Sequence, residues 1–211
     1  MNVVDPVGSG YVASLARPGG NATGFLEFEY RISGKWLELL KEAVPSLARV
    51  LVLLNPENYT SRGLLRTIET VAPTAGVRVT PARVRNIAEI EAALNTFGQE
   101  PNGGMIVLPD PVTTVNDERI TILAVARRLP TVHAFRFHAV GGGLISYGTD
   151  VNDIYQNAAS YVDRILKGAK VGELPVQNPV KYALVINLKA AKALGIEVPP
   201  TLLARADEVI E

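Results

Sequence analysis

Cysteine is absent from the 211 residues of this chain. That single absence excludes disulfide frameworks, thiolate metal sites and cysteine nucleophiles together, and it fits either side of a bacterial inner membrane, because an exported chain without cysteine meets no redox problem. Histidine is nearly absent too: His133 and His138 are the only two. Neither belongs to an H-x-x-x-H pair, and a zinc site needs further ligands converging on them. No metal site is therefore expected, and His133, set in an apolar strand, reads as a hydrogen-bonded core histidine. Net charge is missing as well. Lysine plus arginine is 21 and aspartate plus glutamate is 21, which offers no broad field for nucleic acid or an anionic membrane. No apolar run approaches the roughly 20 residues that a membrane-crossing helix needs. The first residues, Met1 to Pro6, lack a basic segment followed by an apolar one, so no export signal is expected in this stretch. No G-x-S-x-G elbow and no Walker A lysine occur. Neither a catalytic residue nor a cofactor is expected.

What remains is an ordinary globular composition, 47% apolar and 20% charged, arranged as alternating apolar strands and amphipathic helices. Ser33 to Val44 carries Trp36, Leu37, Leu40, Ala43 and Val44 on one side and stops at Pro45. Arg49 to Leu54 is a continuous β-branched and leucine run, as expected of a strand buried on both faces. A helix follows from Thr60 or Ser61, closed by Pro73 and Gly76. The unit then recurs: a short strand at Val77 to Thr80; a helix capped by Asn86, with Glu89 at the capping-box position; a strand at Met105 to Leu108; a helix capped by Asn116; a strand at Thr131 to Phe135; and a short strand at Leu144 to Tyr147 after Gly141-Gly-Gly143. Asn152 to Lys167 reads as a helix with Gly168 at its C-terminal end. Lys181 to Asn187 reads as a strand, Leu188 to Leu194 as a short helix, and Thr201 to Glu211 as a charged tail. Strands separated by helices of this length imply right-handed crossovers and a parallel sheet sandwiched by helices, an α/β fold.

In such sheets ligands bind beyond the carboxyl ends of the strands. The polar and aromatic residues at those ends are Asn55, Asn58 and Ser61 after one strand, Asp110 and Thr113 after another, and Phe135 and Arg136 after a third. Gly8-Ser-Gly-Tyr-Val-Ala13 matches the dinucleotide pattern, but Pro18-Gly19-Gly20 cuts the following helix to about two turns, and a nucleotide-binding crossover needs a dozen residues or more. The motif reads as a turn and a short helix. Asp110 has no second carboxylate visibly arranged beside it, so it reads as a ligand-orienting or loop-capping acid.

Several stretches taken together carry a resemblance. They are Asp5-Pro-Val-Gly-Ser-Gly10, Ser14 to Gly24, Gly34 to Pro45, Leu108-Pro-Asp-Pro111, Gly142 to Gly148, Tyr161 to Lys170 and Leu184 to Gly195. The chain resembles the ABC-transporter substrate-binding family that includes the tryptophan/tyrosine-type receptors. The resemblance implies the type I periplasmic-binding fold, in which two α/β lobes joined by three crossings hold a solute in a cleft. Residues 1–25 would end the first lobe and make the first crossing, 26–143 would form the second lobe, 144–180 would cross back and give a helix to the first lobe, and 181–211 would return to the second. It also implies that the N-terminal part of the first lobe is missing from this sequence. The apolar face of helix 152–167 would then lack its usual sheet, and self-association of the chain through that face is expected. The implied contacts are Asn55, Ser61, Asp110, Thr113 and Phe135 from the second lobe, with Asp5 and Tyr147 from the hinge side. Asn55 and Asp110 would orient a polar group and Phe135 would stack on a flat one. The implied partners are a small organic solute, with aromatic amino acids as the family-level choice, and a membrane permease; the implied location of the full-length form is the periplasm or cell surface. Two other readings stay open: a ligand-sensing regulatory module on the same fold, and an enzyme on a Rossmann-like or flavodoxin-like sheet.

Overall fold

The structure is a computed structural model and describes residues 4–211. The first three residues of the N-terminal stretch read above for an export signal lie outside it. The elements run α1 (Ile32–Ala43), β1 (Arg49–Leu54), α2 (Tyr59–Ala75), β2 (Arg78–Arg83), α3 (Ile87–Phe97), β3 (Gly103–Val107), α4 (Pro111–Val115), α5 (Asp117–Ala126), β4 (Thr131–His133), α6 (Arg136–Val140), β5 (Ile145–Thr149), α7 (Val151–Leu166), β6 (Tyr182–Asn187), α8 (Leu188–Leu194), α9 (Pro200–Leu203) and β7 (Glu208–Ile210). The chain divides into two units. One takes the described residues up to Tyr30 together with Thr149–Tyr182; the other takes Arg31–Gly148 and Ala183–Glu211.

The larger unit holds nearly all of a seven-stranded sheet in the order β2-β1-β3-β4-β5-β6-β7. Each strand pair whose register is described is parallel. All six residues of β1 are buried, which is what a strand covered on both faces requires. Its odd positions, Leu51 and Leu53, join Met105, Val107, Ile90, Leu94, Phe97 and Ile120 in one core layer. Its even positions point to the other face, the one on which α1 and its fully buried Trp36 lie. The indole Nε1 of Trp36 donates 2.6 Å to the carbonyl of Tyr147. Helix ends follow local chemistry. Asn58, Asn86 and Asn187 each accept a backbone N–H in the first turn of the helix they open, and Gly76 and Gly195 close α2 and α8 in the left-handed conformation.

The smaller unit is built differently. Its bridge Phe25↔Gln177 ties two extended segments, Thr23 Oγ1 donates 2.6 Å to the Leu174 carbonyl, and Val12, Leu26 and Val176 make a small apolar cluster. Helix α7 starts on an Asp150 cap that accepts from Asn152 N–H at 3.1 Å. Tyr161 is its one buried residue, while Tyr155, Val162 and Leu166 are exposed.

Four expectations are corrected. Gly8 to Gly10 lies in turns with no helix behind it, because Asp5 Oδ1 accepts the Gly8 N–H at 2.7 Å and folds the glycines back; a Cβ on Gly8 would meet that carboxylate. Asn116 makes no side-chain cap; its amide donates to the Val112 carbonyl instead, and the extra helix α4 precedes it, capped by Asp110. The tail contains β7, which pairs with β6. His133 is buried but not hydrogen-bonded, as described below.

Candidate functional site

Counting outward from the middle of the sheet, the order β2-β1-β3-β4-β5 reverses direction between β1 and β3. Neighbouring crossovers leave in opposite directions there, so a crevice opens beyond the carboxyl ends of these two strands. Asn55 follows β1 and Asp110 follows β3, so the two flank the reversal. The structure joins them. Asn55 Nδ2 donates to Asp110 Oδ1 at 3.2 Å and Asn58 Nδ2 donates to Asp110 Oδ2 at 2.9 Å. Asp110 Oδ1 also accepts the Val112 N–H at 2.8 Å. The two asparagines cap their own loop through their oxygens, taking the Glu57 and Thr60 N–H groups at 3.0 Å each. The result is a polar bracket clamping two adjacent strand ends, with Asp110 6% exposed at its centre. Pro56, Pro109 and Pro111 flank it and restrict the backbone.

Thr113 is turned inward and donates to the carbonyls of Leu108 and Asp110 at 2.9 and 3.0 Å, so its hydroxyl is committed to the loop. Ser61, in the first turn of α2, is fully buried and its Oγ has no hydrogen-bond partner. An orphaned buried hydroxyl is costly unless something meets it. Phe135 follows β4, the next strand along, and stacks on Phe137 with ring centroids 5.4 Å apart and planes 12° from parallel; Phe137 is half exposed. The pair forms an aromatic ledge. Asn58 stood among the strand-end residues without being expected as a contact, and Phe137 was not among the expected contacts; the F-x-F spacing around Arg136 was the available signal for pairing it with Phe135. Arg136 is turned away, with Nε and Nη2 each 2.6 Å from a different oxygen of Glu208. That fork raises the arginine and holds the Glu208 carboxyl below its ordinary range. Tyr147 is half-buried in β5 and its carbonyl serves Trp36. Asp5 sits in the smaller unit, where its carboxylate holds the Gly8 turn.

Behind this edge lies a second polar group that the sequence reading did not assemble. His133 ends β4, His138 sits in α6 and Asp117 opens α5. The rings stack with centroids 4.8 Å apart, and Asp117 Oδ1 stands 3.9 Å from His133 Nδ1 and 2.5 Å from His138 Nδ1. Neither nitrogen of His133 is hydrogen-bonded, and His138 Nδ1 and Asp117 Oδ1 face each other as a close pair. Burial first, and the neighbouring His138 second, hold His133 well below the ordinary histidine range, so it is neutral.

Similarity to known proteins bears on the edge. A curated tyrosine-binding protein of Clostridioides difficile is 24% identical over 201 residues, covering 92% of this chain and 56% of its own length; the chain thus spans just over half of that relative. A solved conserved domain protein of Vibrio cholerae matches at 29% identity with a TM-score of 0.89, over 99% of this chain and 70% of the other. A solved ABC domain of Streptococcus pneumonia in complex with L-Trp matches at 25% identity, also with a TM-score of 0.89 and the same coverages. The shared architecture is the type I periplasmic-binding fold. The family model described as ABC transporter substrate binding protein matches residues 1–210, and the chain belongs to that family.

Proposed function

We propose that this chain is the solute receptor of an ABC importer, holding a small organic molecule, an aromatic amino acid before others, at the carboxyl edge of its sheet and making or breaking no bond. The observation that carries this reading is the edge itself. Three successive strands, β1, β3 and β4, end in the Asn55–Asp110–Asn58 bracket and the Phe135–Phe137 ledge, at the point where the strand order reverses. A flat aromatic side chain suits the ledge. The polar end of an amino acid suits a rigid bracket and the unspent hydroxyl of Ser61. The relatives named for tyrosine and solved with L-Trp support the same class of solute. Residues 26–143 with 181–211 serve as the solute-facing lobe in this reading. The receptor works outside the inner membrane and passes its cargo to a permease.

Titration of the chain with L-tryptophan and L-tyrosine, followed by thermal unfolding, tests this. A solute at 100 times its dissociation constant adds about 2.7 kcal/mol of stability. Saturable stabilisation by either amino acid, absent with L-alanine or ribose and weakened at least tenfold in Phe135→Ala, is the expected result. No response to either aromatic amino acid, or an equal response in Phe135→Ala, refutes the assignment.

A further inference from the structure

The group formed by Asp117, His133 and His138 has no role at the solute edge, and its chemistry is specific. One ligand atom from each residue can be chosen so that all three lie within 4.8 Å of one another. The two imidazoles are 1% and 3% exposed, and Asp117 is half-buried with its carboxylate reaching the outside. Three ring nitrogens and one carboxylate oxygen are buried there without a hydrogen bond. Buried polar atoms are normally satisfied, and each orphan costs on the order of 1–3 kcal/mol. Two of these atoms, Asp117 Oδ1 and His138 Nδ1, face each other at 2.5 Å, and both nitrogens of His133 are left unmet beside them. The glycine run Gly141-Gly142-Gly143 closes over the group. A Cβ on Gly143 would come 2.9 Å from His133 Nε2, and one on Gly141 would come 3.3 Å from Asp117 Oδ2. Only backbone without side chains can lie this close to the rings.

We infer that Asp117, His133 and His138 form a binding site for one divalent ion of the zinc class. Two imidazoles and a carboxylate suit zinc, cobalt or nickel and disfavour magnesium and calcium, which want an all-oxygen shell. Ligand atoms about 2.0 Å from a tetrahedral zinc are about 3.3 Å apart. The two separations from Asp117, 3.9 and 2.5 Å, straddle that value, and the set as a whole spans 4.8 Å, so binding requires Asp117 to draw back from His138 and the ligand atoms to close in by more than an ångström at the widest pair. Water fills the fourth position, since Asp117 is the side from which solvent reaches the group. The ion joins the end of β4 to α5 and α6, the segment that also carries Phe135 and Phe137, so its effect is to stiffen the aromatic ledge.

The test uses the untagged full chain stripped with a chelator. Isothermal titration with Zn²⁺ gives one ion per chain, and Co²⁺ gives the intense visible bands of four-coordination. Asp117→Asn, which keeps the size and shape of a largely buried side chain, weakens both at least tenfold while the metal-free chain keeps its far-ultraviolet dichroism; His138→Gln does the same. Absence of stoichiometric Zn²⁺ binding overturns the assignment. So does binding of equal strength in Asp117→Asn and His138→Gln, which would place the ion on surface carboxylates. Six-coordinate Co²⁺ spectra would overturn it as well.

Discussion

Two helices of this molecule form for opposite reasons. Helix α1 has 12 residues, and eight of them are buried, Trp36, Leu37 and Leu40 completely. Helix α7 has 16 and buries one, Tyr161. An isolated helix of either length is marginal in water. Tertiary packing therefore holds α1. What holds α7 is more local: the Asp150 cap, the Asp163–Lys167 pair at 2.9 Å, the half-buried Ile154, Ala158 and Ile165 and one buried anchor. That anchor is Tyr161, whose hydroxyl donates to the Pro175 carbonyl at 2.8 Å and accepts from Gln177 Nε2 at 2.9 Å, and whose ring lies 4.8 Å from Phe25. A helix secured by many apolar contacts fails only with its whole unit, whereas one secured by a single tyrosine fails alone.

The largest effect falls on the first helix. Trp36→Ala removes a fully buried indole together with its bond to the Tyr147 carbonyl, and a loss of about 3–5 kcal/mol is expected. Denaturant unfolding of the larger unit reads this. Amide exchange in α7 should stay as it was, since the bonds described for α7 and its anchor Tyr161 do not involve Trp36; a matching loss of protection in α7 breaks the contrast.

Tyr161→Phe comes next. It keeps the ring against Phe25 and deletes one hydroxyl serving two partners, a cost of about 1 kcal/mol. The expected signature is faster exchange through α7 with α1 unchanged. Equal change in both helices would mean that the anchor is not local.

The same contrast explains what could be read from the residues. β1 and α8 emerge with the bounds expected for them because their signals are local: an unbroken apolar run in one, an asparagine cap and a left-handed glycine in the other. β2 runs on through Pro81 to Arg83, past the expected Thr80, because it is the edge strand and one of its faces needs no N–H donor. β7 was invisible, since Glu208 to Ile210 becomes a strand only by pairing with β6. The polar bracket was half legible. Asn55 and Asp110 stand next to prolines at strand ends, but that Asn58 closes the bracket depends on a loop conformation. The histidine group was illegible because Asp117 reaches it from a different crossover, and no spacing rule relates a helix start to the strand that follows it.

The smallest effect on stability separates the ridge of α7 from its anchor. Tyr155, Val162 and Leu166, spaced seven and four residues apart, project on one side, and Leu166 is 82% exposed. Replacing an exposed leucine touches no core, so Leu166→Ser should move unfolding by no more than about 0.5 kcal/mol. Its effect on association should be far larger. An apolar ridge this bare favours a second copy of the chain, and the wild-type chain is expected to sediment with a concentration-dependent coefficient that Leu166→Ser brings down to the monomer value. A wild-type chain that stays monomeric at high concentration refutes the self-association. A Leu166→Ser chain that loses stability on the scale of Tyr161→Phe shows instead that the ridge is packed within its own unit, and the difference between α1 and α7 narrows accordingly.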